Sequence, residues 1–126
     1  MIEIRYTKDH EWARLEEDGS VTVGITDYAQ QQLGDVVFVE LPEEGAEVLR
    51  GEETAVVESV KAAADVKVPL SGTVLSANHT LVGAPQRVNV DPLGEGWFFR
   101  IDPNDPNEME DLMDEDEYLE YVKSFE

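Results

Sequence analysis

The chain contains no cysteine and few basic residues, and both absences narrow its possible functions. Without cysteine it can form no disulfide framework, no thiolate metal site and no cysteine nucleophile. Nine lysines and arginines stand against 29 aspartates and glutamates, which gives a formal net charge of −20. This charge excludes nucleic acid as a default partner, disfavours anionic membranes and favours basic partner surfaces. Any redox chemistry must come from an added group.

Long apolar runs are also absent. The N-terminal residues MIEIRYTKDHEW lack an apolar core of signal-peptide length, and no stretch is long enough to span a bilayer. We therefore expect the protein to stay where it is made, most simply in a prokaryotic cytoplasm. A processed mitochondrial form would lack its targeting segment too, so that alternative stays open.

Short β-strand patterns separated by turn residues fill the first two-thirds of the chain. Two of them, EWARLEE and VTVGI, flank the pair Asp18-Gly19, which favours a β-hairpin. TDYAQQQLG predicts one short helix, with Thr26 capping its start and Gly34 its end. DVVFVEL then predicts a further strand, because its apolar run is nearly continuous.

The second half of the chain continues the strand pattern and ends in an acidic helical tail. Strands are expected in AEVLRGEETAVVESV, AAADVKVPLSGTVLSAN, RVNVDP and GEGWFFRI, with a polar loop over residues 78–87. Pro103 and Pro106 break the chain before the tail. Asp114 and Glu117 then form the pattern of a capping box, which predicts a helix start.

The tail is expected to dock on a β core. Leu119, Val122 and Phe125 recur at helical spacing, so one face of the tail can pack against the strands. Strands this short and this evenly punctuated indicate a mainly β barrel or sandwich with helices as accessories. We expect a single domain of all 126 residues, with a β core over about 1–102 and the helical tail over about 105–126.

Lys61 lies between two strand patterns, TAVVESV and ADVKVPL, and is therefore expected at or next to a reversal of the chain. The three alanines that follow it, residues 62–64, leave no bulky side chain on that side. A lysine in this setting can enter the active site of another protein, which suits a modified residue. The simpler interpretation, an unmodified lysine in a solvated turn, stays open on composition and spacing alone.

Several motifs together resemble the family of H proteins of the glycine cleavage system. They are YTKDHEW, VGITDYAQQQLGDVVFVELPEEG, VVESVKAAADV, PLSG and DPLGEGW, and they occur in order from Tyr6 to Trp97. The resemblance implies a barrel–sandwich hybrid like that of lipoyl and biotinyl domains, with one short internal helix and a C-terminal helical tail. It also implies lipoic acid in amide linkage on the lysine of the ESVK segment, which is Lys61.

The resemblance further implies a non-catalytic carrier that serves several enzymes in turn. A pyridoxal-phosphate glycine decarboxylase (P protein) releases CO₂ and passes the aminomethyl group to the lipoyl arm, whose disulfide is reduced. A tetrahydrofolate-dependent aminomethyltransferase (T protein) takes the one-carbon unit and releases ammonia, and dihydrolipoamide dehydrogenase (L protein) reoxidises the arm. A lipoylating enzyme is the fourth partner, and the carrier is expected to be a monomer. A relay of lipoate or octanoate to the lipoyl domains of 2-oxoacid dehydrogenases is the alternative.

Four acidic residues receive roles from the same resemblance. Glu58, three residues before the attachment lysine, is a recognition mark for the lipoylating enzyme. Glu11, Asp65 and Asp9 line a cleft that shelters the aminomethylated arm, since a protonated amine gains from charge-assisted hydrogen bonds to carboxylates. Ordinary solvated surface charge is the competing interpretation for all four. Lys67, the neighbouring lysine, falls inside a strand pattern and is interpreted as structural.

Other classes of function find less support. Biotinyl domains favour methionines beside the lysine, where this chain has Val60 and Ala62. A Schiff-base enzyme needs a lysine desolvated in a pocket, and a turn among alanines does not provide one. His10 and His79 lack metal-binding spacing, so no metal site is predicted. An unmodified acidic module is the remaining alternative.

Overall fold

The structure is a computed structural model that describes residues 3–125, and within them it contains nine strands and four α-helices. The strands are β1 (Glu3–Tyr6), β2 (Glu11–Leu15), β3 (Val21–Ile25), β4 (Val36–Glu40), β5 (Glu47–Val48), β6 (Glu53–Ser59), β7 (Ala63–Lys67), β8 (Gly72–Ala77) and β9 (Phe99–Pro103). The helices are α1 (Asp27–Leu33), α2 (Thr80–Gly83), α3 (Arg87–Val90) and α4 (Glu115–Lys123), with a 3-10 helix at Pro106–Asp111.

The strands form two antiparallel sheets that share one core. One sheet has the order β1-β2-β3-β9-β8-β5 and the other the order β4-β6-β7. Val23 and Ile101 from the larger sheet belong to the same buried cluster as Val57 and Val66 from the smaller one. Burying a side chain of this size stabilises a fold by ~1.5–3 kcal/mol. The mainly β, sandwich-like fold predicted from the strand pattern is therefore confirmed.

Alternation along the hairpin of β6 and β7 sets which side chains face the core. Val57 and Val66 are buried, whereas Glu58 and Asp65, one residue away from each, are exposed. Successive side chains of a strand point to opposite faces of the sheet. The smaller sheet therefore has an apolar inner face and an outer face that solvent reaches.

The predicted caps of α1 and α4 are present. The Thr26 hydroxyl accepts from the backbone amide of Ala29 at the start of α1, and Gly34 ends the helix with φ 81°. Asp114 and Glu117 form the predicted capping box of α4. Because these bonds satisfy amides that a helix cannot pair internally, they fix where each helix begins.

The contact of α4 with the strands differs from the prediction. Tyr118 is the buried residue of α4, and its ring stacks on Tyr6 with the ring centroids 4.6 Å apart. Val122 packs on the same cluster as predicted, but Leu119 and Phe125 keep 49% and 52% of their surface exposed. Helical spacing identified the correct helix, but the side chain of α4 that is buried against the strands is Tyr118.

The segment RVNVDP is not a strand, because residues 87–90 form the short helix α3, and the preceding polar loop contains α2. The alternation of apolar and polar residues in RVNV imitates a strand, yet Val88 is buried while Val90 is 80% exposed. The Asn89 side chain explains the difference. It accepts from the amide of Val36 at 2.9 Å and donates to the carbonyl of Gly34 at 2.8 Å, so tertiary contacts fix the helical turn.

The last strand also differs in position from its prediction. β9 begins at Phe99, five residues later than the predicted segment GEGWFFRI, and continues through Pro103. The amides of Gly94 and Gly96 donate to the carbonyl of Asp91, so the first residues of that segment form a turn. A glycine-rich turn therefore occupies the start of the apparent strand.

Candidate functional site

The connection from Val60 to Ala62 joins β6 to β7 and places Lys61 at the tip of the hairpin, which confirms the predicted reversal. The backbone amide of Ser59 donates to the carbonyl of Ala62 at 2.7 Å. The Ser59 hydroxyl accepts from the backbone amides of Lys61 and Ala62 at 3.2 and 3.0 Å, and it donates to the Ala62 carbonyl at 3.2 Å. Ser59 therefore closes the turn with both its backbone and its side chain.

The tip needs no unusual backbone conformation. Among the non-glycine residues of the described range 3–125, only His10 has a positive φ. Val60 and Lys61 therefore lie in conformations that any L-residue can adopt. The turn gains its shape from the hydrogen bonds of Ser59, and glycine is not required at either position.

The end of α1 and the start of β4 both contact the tip. The amide of Val60 donates to the carbonyl of Asp35 at 3.1 Å. A Cβ atom built on Gly34 would lie 3.5 Å from Cε of Lys61, so the lysine stem rests over the helix end. Lys61 is exposed, and within the described part of the chain its ammonium group forms no salt bridge.

Glu58 lies on the outer face of the smaller sheet, beside the tip. It pairs with Phe38 on β4 and with Ala63 on β7, and all three residues are exposed. The alanine side of the hairpin is smooth, since Ala62 and Ala63 are both exposed and carry only a methyl group. A partner that reaches Lys61 can therefore also reach Glu58.

The three carboxylates expected to line a cleft have different surroundings. Glu11 is 2% exposed and accepts from the Thr7 hydroxyl at 2.6 Å and from the Lys67 backbone amide at 3.2 Å. Asp9 is exposed, with an oxygen 3.6 Å from Nζ of Lys67. Asp65 is exposed on β7, two residues before Lys67. The structure thus gathers Asp9 and Glu11 around Lys67 and leaves Asp65 open to solvent.

Burial controls the protonation of Glu11. Removal from water raises the pKa of the Glu11 carboxyl, because a low-dielectric interior disfavours the charged form. The hydrogen bonds from Thr7 and from the Lys67 amide lower the pKa, and the nearby charge of Asp9 raises it, so the net direction is upward. Glu11 is therefore a buried link between β2 and β7 with little contact with solvent.

Two negative observations apply to residues 3–125. No helix in that range combines the length and the apolar character needed to cross a membrane. Nor are three or more His, Cys, Asp or Glu side chains in that range close enough together to hold a metal ion.

The exposed lysine of the motif ESVK, on its serine-closed hairpin, belongs to a chain that closely matches known proteins. Residues 4–125 match the family model described as Glycine cleavage H-protein. The chain belongs to this family. It is 55% identical to the glycine cleavage system H protein of Rhodospirillum rubrum over 97% of both chains. The identity to the glycine cleavage system H protein of Methylocella silvestris is 57%, over 98% of both chains.

A solved structure supports the same family at the level of the fold. The crystal structure of a glycine cleavage system H protein from Mycobacterium marinum matches this chain with a TM-score of 0.85 at 37% identity. The match covers 98% of this chain and 96% of that one. The glycine cleavage H-protein resemblance and the barrel–sandwich fold expected from it are therefore confirmed.

The role of Ser59 in shaping the hairpin tip was not among the predictions from the sequence. A serine that precedes a turn can bond the backbone amides that follow it. Ser59 stands two residues before Lys61, so that spacing is the signal available in the sequence. The packing of the lysine stem on Gly34 had no such signal, because it depends on how α1 meets the hairpin.

Proposed function

We propose that this chain is the lipoyl carrier of a glycine cleavage system, with lipoic acid in amide linkage to Lys61. The observation that carries the proposal is the exposed lysine at the tip of the serine-closed hairpin in a chain of the H-protein family. When bound, a lipoyl group supplies a disulfide that can take up an aminomethyl group and two electrons, chemistry that a chain without cysteine cannot provide.

The surroundings of Lys61 fit an acylated lysine. Amide formation removes the positive charge of the side chain, and within residues 3–125 no salt bridge of Lys61 would be lost. The exposed Ala62 and Ala63 leave room for an arm to swing on one side. A short flexible tether keeps its end at an effective concentration on the order of mM near a docked partner. The chain therefore presents its cargo, and its partners perform the catalysis.

The partners in this proposal are the glycine decarboxylase, the aminomethyltransferase, dihydrolipoamide dehydrogenase and a lipoylating enzyme. The decarboxylase loads the aminomethyl group, the transferase passes it to tetrahydrofolate, and the dehydrogenase reoxidises the arm. We place this cycle in a prokaryotic cytoplasm with the carrier as a monomer. The exposed position of Glu58, beside the tip, supports its role as a recognition mark for the lipoylating enzyme.

The acidic residues near β7 divide into two roles within this proposal. Asp9 and Asp65 are exposed, so either can accept a hydrogen bond from the ammonium of an aminomethylated arm. Glu11 already accepts from Thr7 and from the Lys67 amide, and it is almost fully buried. Glu11 therefore acts as a positioning residue that holds the wall of the cleft.

Mass spectrometry of two matched lysine variants tests the attachment. The protein from its own host is digested and mapped as wild type, as Lys61→Arg and as Lys67→Arg. We expect a lipoyl increment on Lys61 in the wild type and in the Lys67 variant, and none in the Lys61 variant. Purified P protein should decarboxylate glycine with the wild type and with the Lys67 variant, and it should fail to do so with the Lys61 variant.

The two lysines lie on the same hairpin, Lys61 at the tip with Glu58 three residues before it, and Lys67 in a strand with Ala64 at that spacing. The exposed position at the tip and the neighbouring Glu58 should therefore direct the modification to Lys61. A Lys61→Arg protein that still carries a lipoyl group, or that supports glycine breakdown in cells, would refute the proposal.

A further inference from the structure

Three large apolar side chains are exposed on one side of Lys61. Val37, Phe38 and Val60 keep 53%, 48% and 71% of their surface in contact with solvent. Phe38 pairs with Glu58, and Val60 follows in the turn, where its amide donates to the carbonyl of Asp35, two residues before Val37. We call Val37, Phe38 and Val60 the tip patch.

A β-bulge creates part of the tip patch. The register between β4 and β6 shifts between Val36 and Phe38, so Val37 is the extra residue of β4. Val36 is buried, while Val37 and Phe38 are both exposed, although regular alternation would turn one of two successive residues inward. The fold thus directs two neighbouring apolar side chains outward next to the tip. Clusters of exposed apolar groups typically mark interaction sites.

Carboxylates surround the tip patch. Asp35, Glu40, Glu58 and Asp65 are exposed on or next to the smaller sheet, and none of them forms a salt bridge with a residue of the described range 3–125. The side chain of Glu58 stands between Phe38 and Ala63 in one row across the sheet. An apolar centre with an unpaired acidic rim is complementary to an apolar surface rimmed by lysine and arginine.

We propose that the tip patch and its acidic rim dock the enzyme that acylates Lys61. This inference rests on the proposed function, since it assumes that Lys61 is lipoylated. The acylating enzyme must recognise the chain before any arm exists, so all of its recognition has to come from the protein surface around the tip. The side of the tip with Ala62 and Ala63 offers only methyl groups, whereas the tip patch offers large side chains that a complementary surface can bury.

Two other occupants of the tip patch are less compatible with the structure. A second copy of the chain would bring the same carboxylates against each other in a protein of net charge −20, and like charges at an interface repel. The arm of the chain itself would start from a lysine stem that rests over Gly34 at the end of α1. Neither the charge repulsion nor the position of the lysine stem opposes the binding of an enzyme whose docking surface has a basic rim.

The decisive measurement is the rate of lipoyl transfer to the unmodified carrier. Purified lipoate–protein ligase is supplied with lipoate and ATP, and the product is followed by intact mass to obtain kcat/KM. Phe38→Ser and Val60→Ser are compared with Leu75→Ser on β8, in the larger sheet, where Leu75 is 46% exposed and Phe38 48%. We expect each tip-patch variant to lower kcat/KM by about tenfold, as a central interface residue does, and the Leu75 variant to change it by less than about twofold.

Salt dependence tests the acidic rim separately. Glu40→Gln and Asp65→Asn should lower the rate of lipoyl transfer at low ionic strength, because fewer charges steer the encounter with the enzyme. For the same reason, the rate should fall less steeply in these variants than in the wild type when salt is added. Glu17→Gln, an exposed carboxylate in the turn between β2 and β3, is the charge-matched control and should leave the salt dependence unchanged.

The outcomes separate the two proposals. If wild-type Lys61 takes up no lipoyl group, the proposed function fails. If wild type is lipoylated and the tip-patch variants react as fast as the Leu75 variant, the docking proposal alone is overturned. Sedimentation showing that wild type is a dimer and Phe38→Ser a monomer would also overturn it, by assigning the patch to a second copy. The proposal would also be overturned if lipoylation shifts the NMR resonances of the Phe38 ring while the tip-patch variants accept the lipoyl group at the wild-type rate. That result would show that the lipoyl arm itself covers the tip patch.

Discussion

Ser59 fixes the shape of the hairpin tip through four hydrogen bonds. Its amide and hydroxyl donate to the carbonyl of Ala62, and its hydroxyl accepts from the amides of Lys61 and Ala62. Lys61 thereby sits on a turn held by a neighbouring side chain, although its own side chain is free of salt bridges within the described residues. At the scale of the residue, the shape of the turn that carries Lys61 therefore depends on the side chain of Ser59.

Replacing Ser59 tests this dependence. Ser59→Ala removes the acceptor for two backbone amides and should lower the free energy of unfolding by about 1 kcal/mol, since solvent can replace part of the lost bonding. Urea unfolding at neutral pH measures the change. Ser59→Thr keeps the hydroxyl and serves as the control. Equal stability of the alanine variant and wild type would show that the hydroxyl bonds contribute nothing.

At the scale of the element, α4 is held to the strands chiefly by one tyrosine. The Tyr118 hydroxyl bonds the Thr26 hydroxyl at 2.7 Å and Nδ1 of His10 at 2.9 Å. Burial raises the pKa of Tyr118 to about 12, so this hydroxyl stays protonated at all ordinary pH values. The ring also stacks on Tyr6. One side chain thus joins the acidic tail to β1, to the loop before β2 and to the cap of α1.

Two phenylalanine substitutions separate the hydroxyl from the ring. Tyr118→Phe keeps the stacking on Tyr6 but leaves the polar groups of Thr26 and His10 without this partner, which should cost about 1–2 kcal/mol of unfolding free energy. Tyr121→Phe is the matched control, because the hydrogen bond from the Tyr121 hydroxyl to the carbonyl of Lys8 is exposed to solvent. We expect the control to lose clearly less stability in thermal and urea unfolding. A larger loss at position 121 would contradict the anchoring role of Tyr118.

The elements differ in how well local sequence predicts them. α1 and α4 could be placed because Thr26, Gly34 and Asp114 are capping residues whose signals lie within a few positions of the helix end. β1 and α3 could not be placed from local sequence. β1 forms by pairing with β2, and α3 is held by the side-chain bonds of Asn89 to α1 and β4, so both depend on partners distant in the chain.

At the scale of the whole molecule, Glu11 is a buried acid that connects the two sheets. It belongs to β2 of the larger sheet and accepts from the backbone amide of Lys67 at the end of β7 in the smaller one. The family resemblance, carried in part by YTKDHEW, implied a cleft role for Glu11, but the sequence could not show that this side chain would be buried. Which of several acidic residues becomes enclosed depends on how the sheets pack, and that is absent from local patterns.

The pH dependence of stability should reveal the buried charge of Glu11. Its pKa is raised in the folded chain, so between the unfolded and the folded pKa the native state holds more protons. The contribution of Glu11 to the free energy of unfolding therefore falls as the pH rises through that interval. Glu11→Gln lacks this titration, so its stability relative to wild type should increase across the interval, as measured by urea unfolding at a series of pH values. A relative stability that stays constant, or that falls, would contradict this assignment.

The ordinary backbone of the hairpin tip has a practical consequence for protein engineering. Because positions 60 and 61 require no glycine, the tip can accept a substituted residue without torsional strain. A thiol introduced at position 61 would be unique in a chain that has no cysteine. The scaffold could then display synthetic prosthetic groups of chosen length at a single defined point.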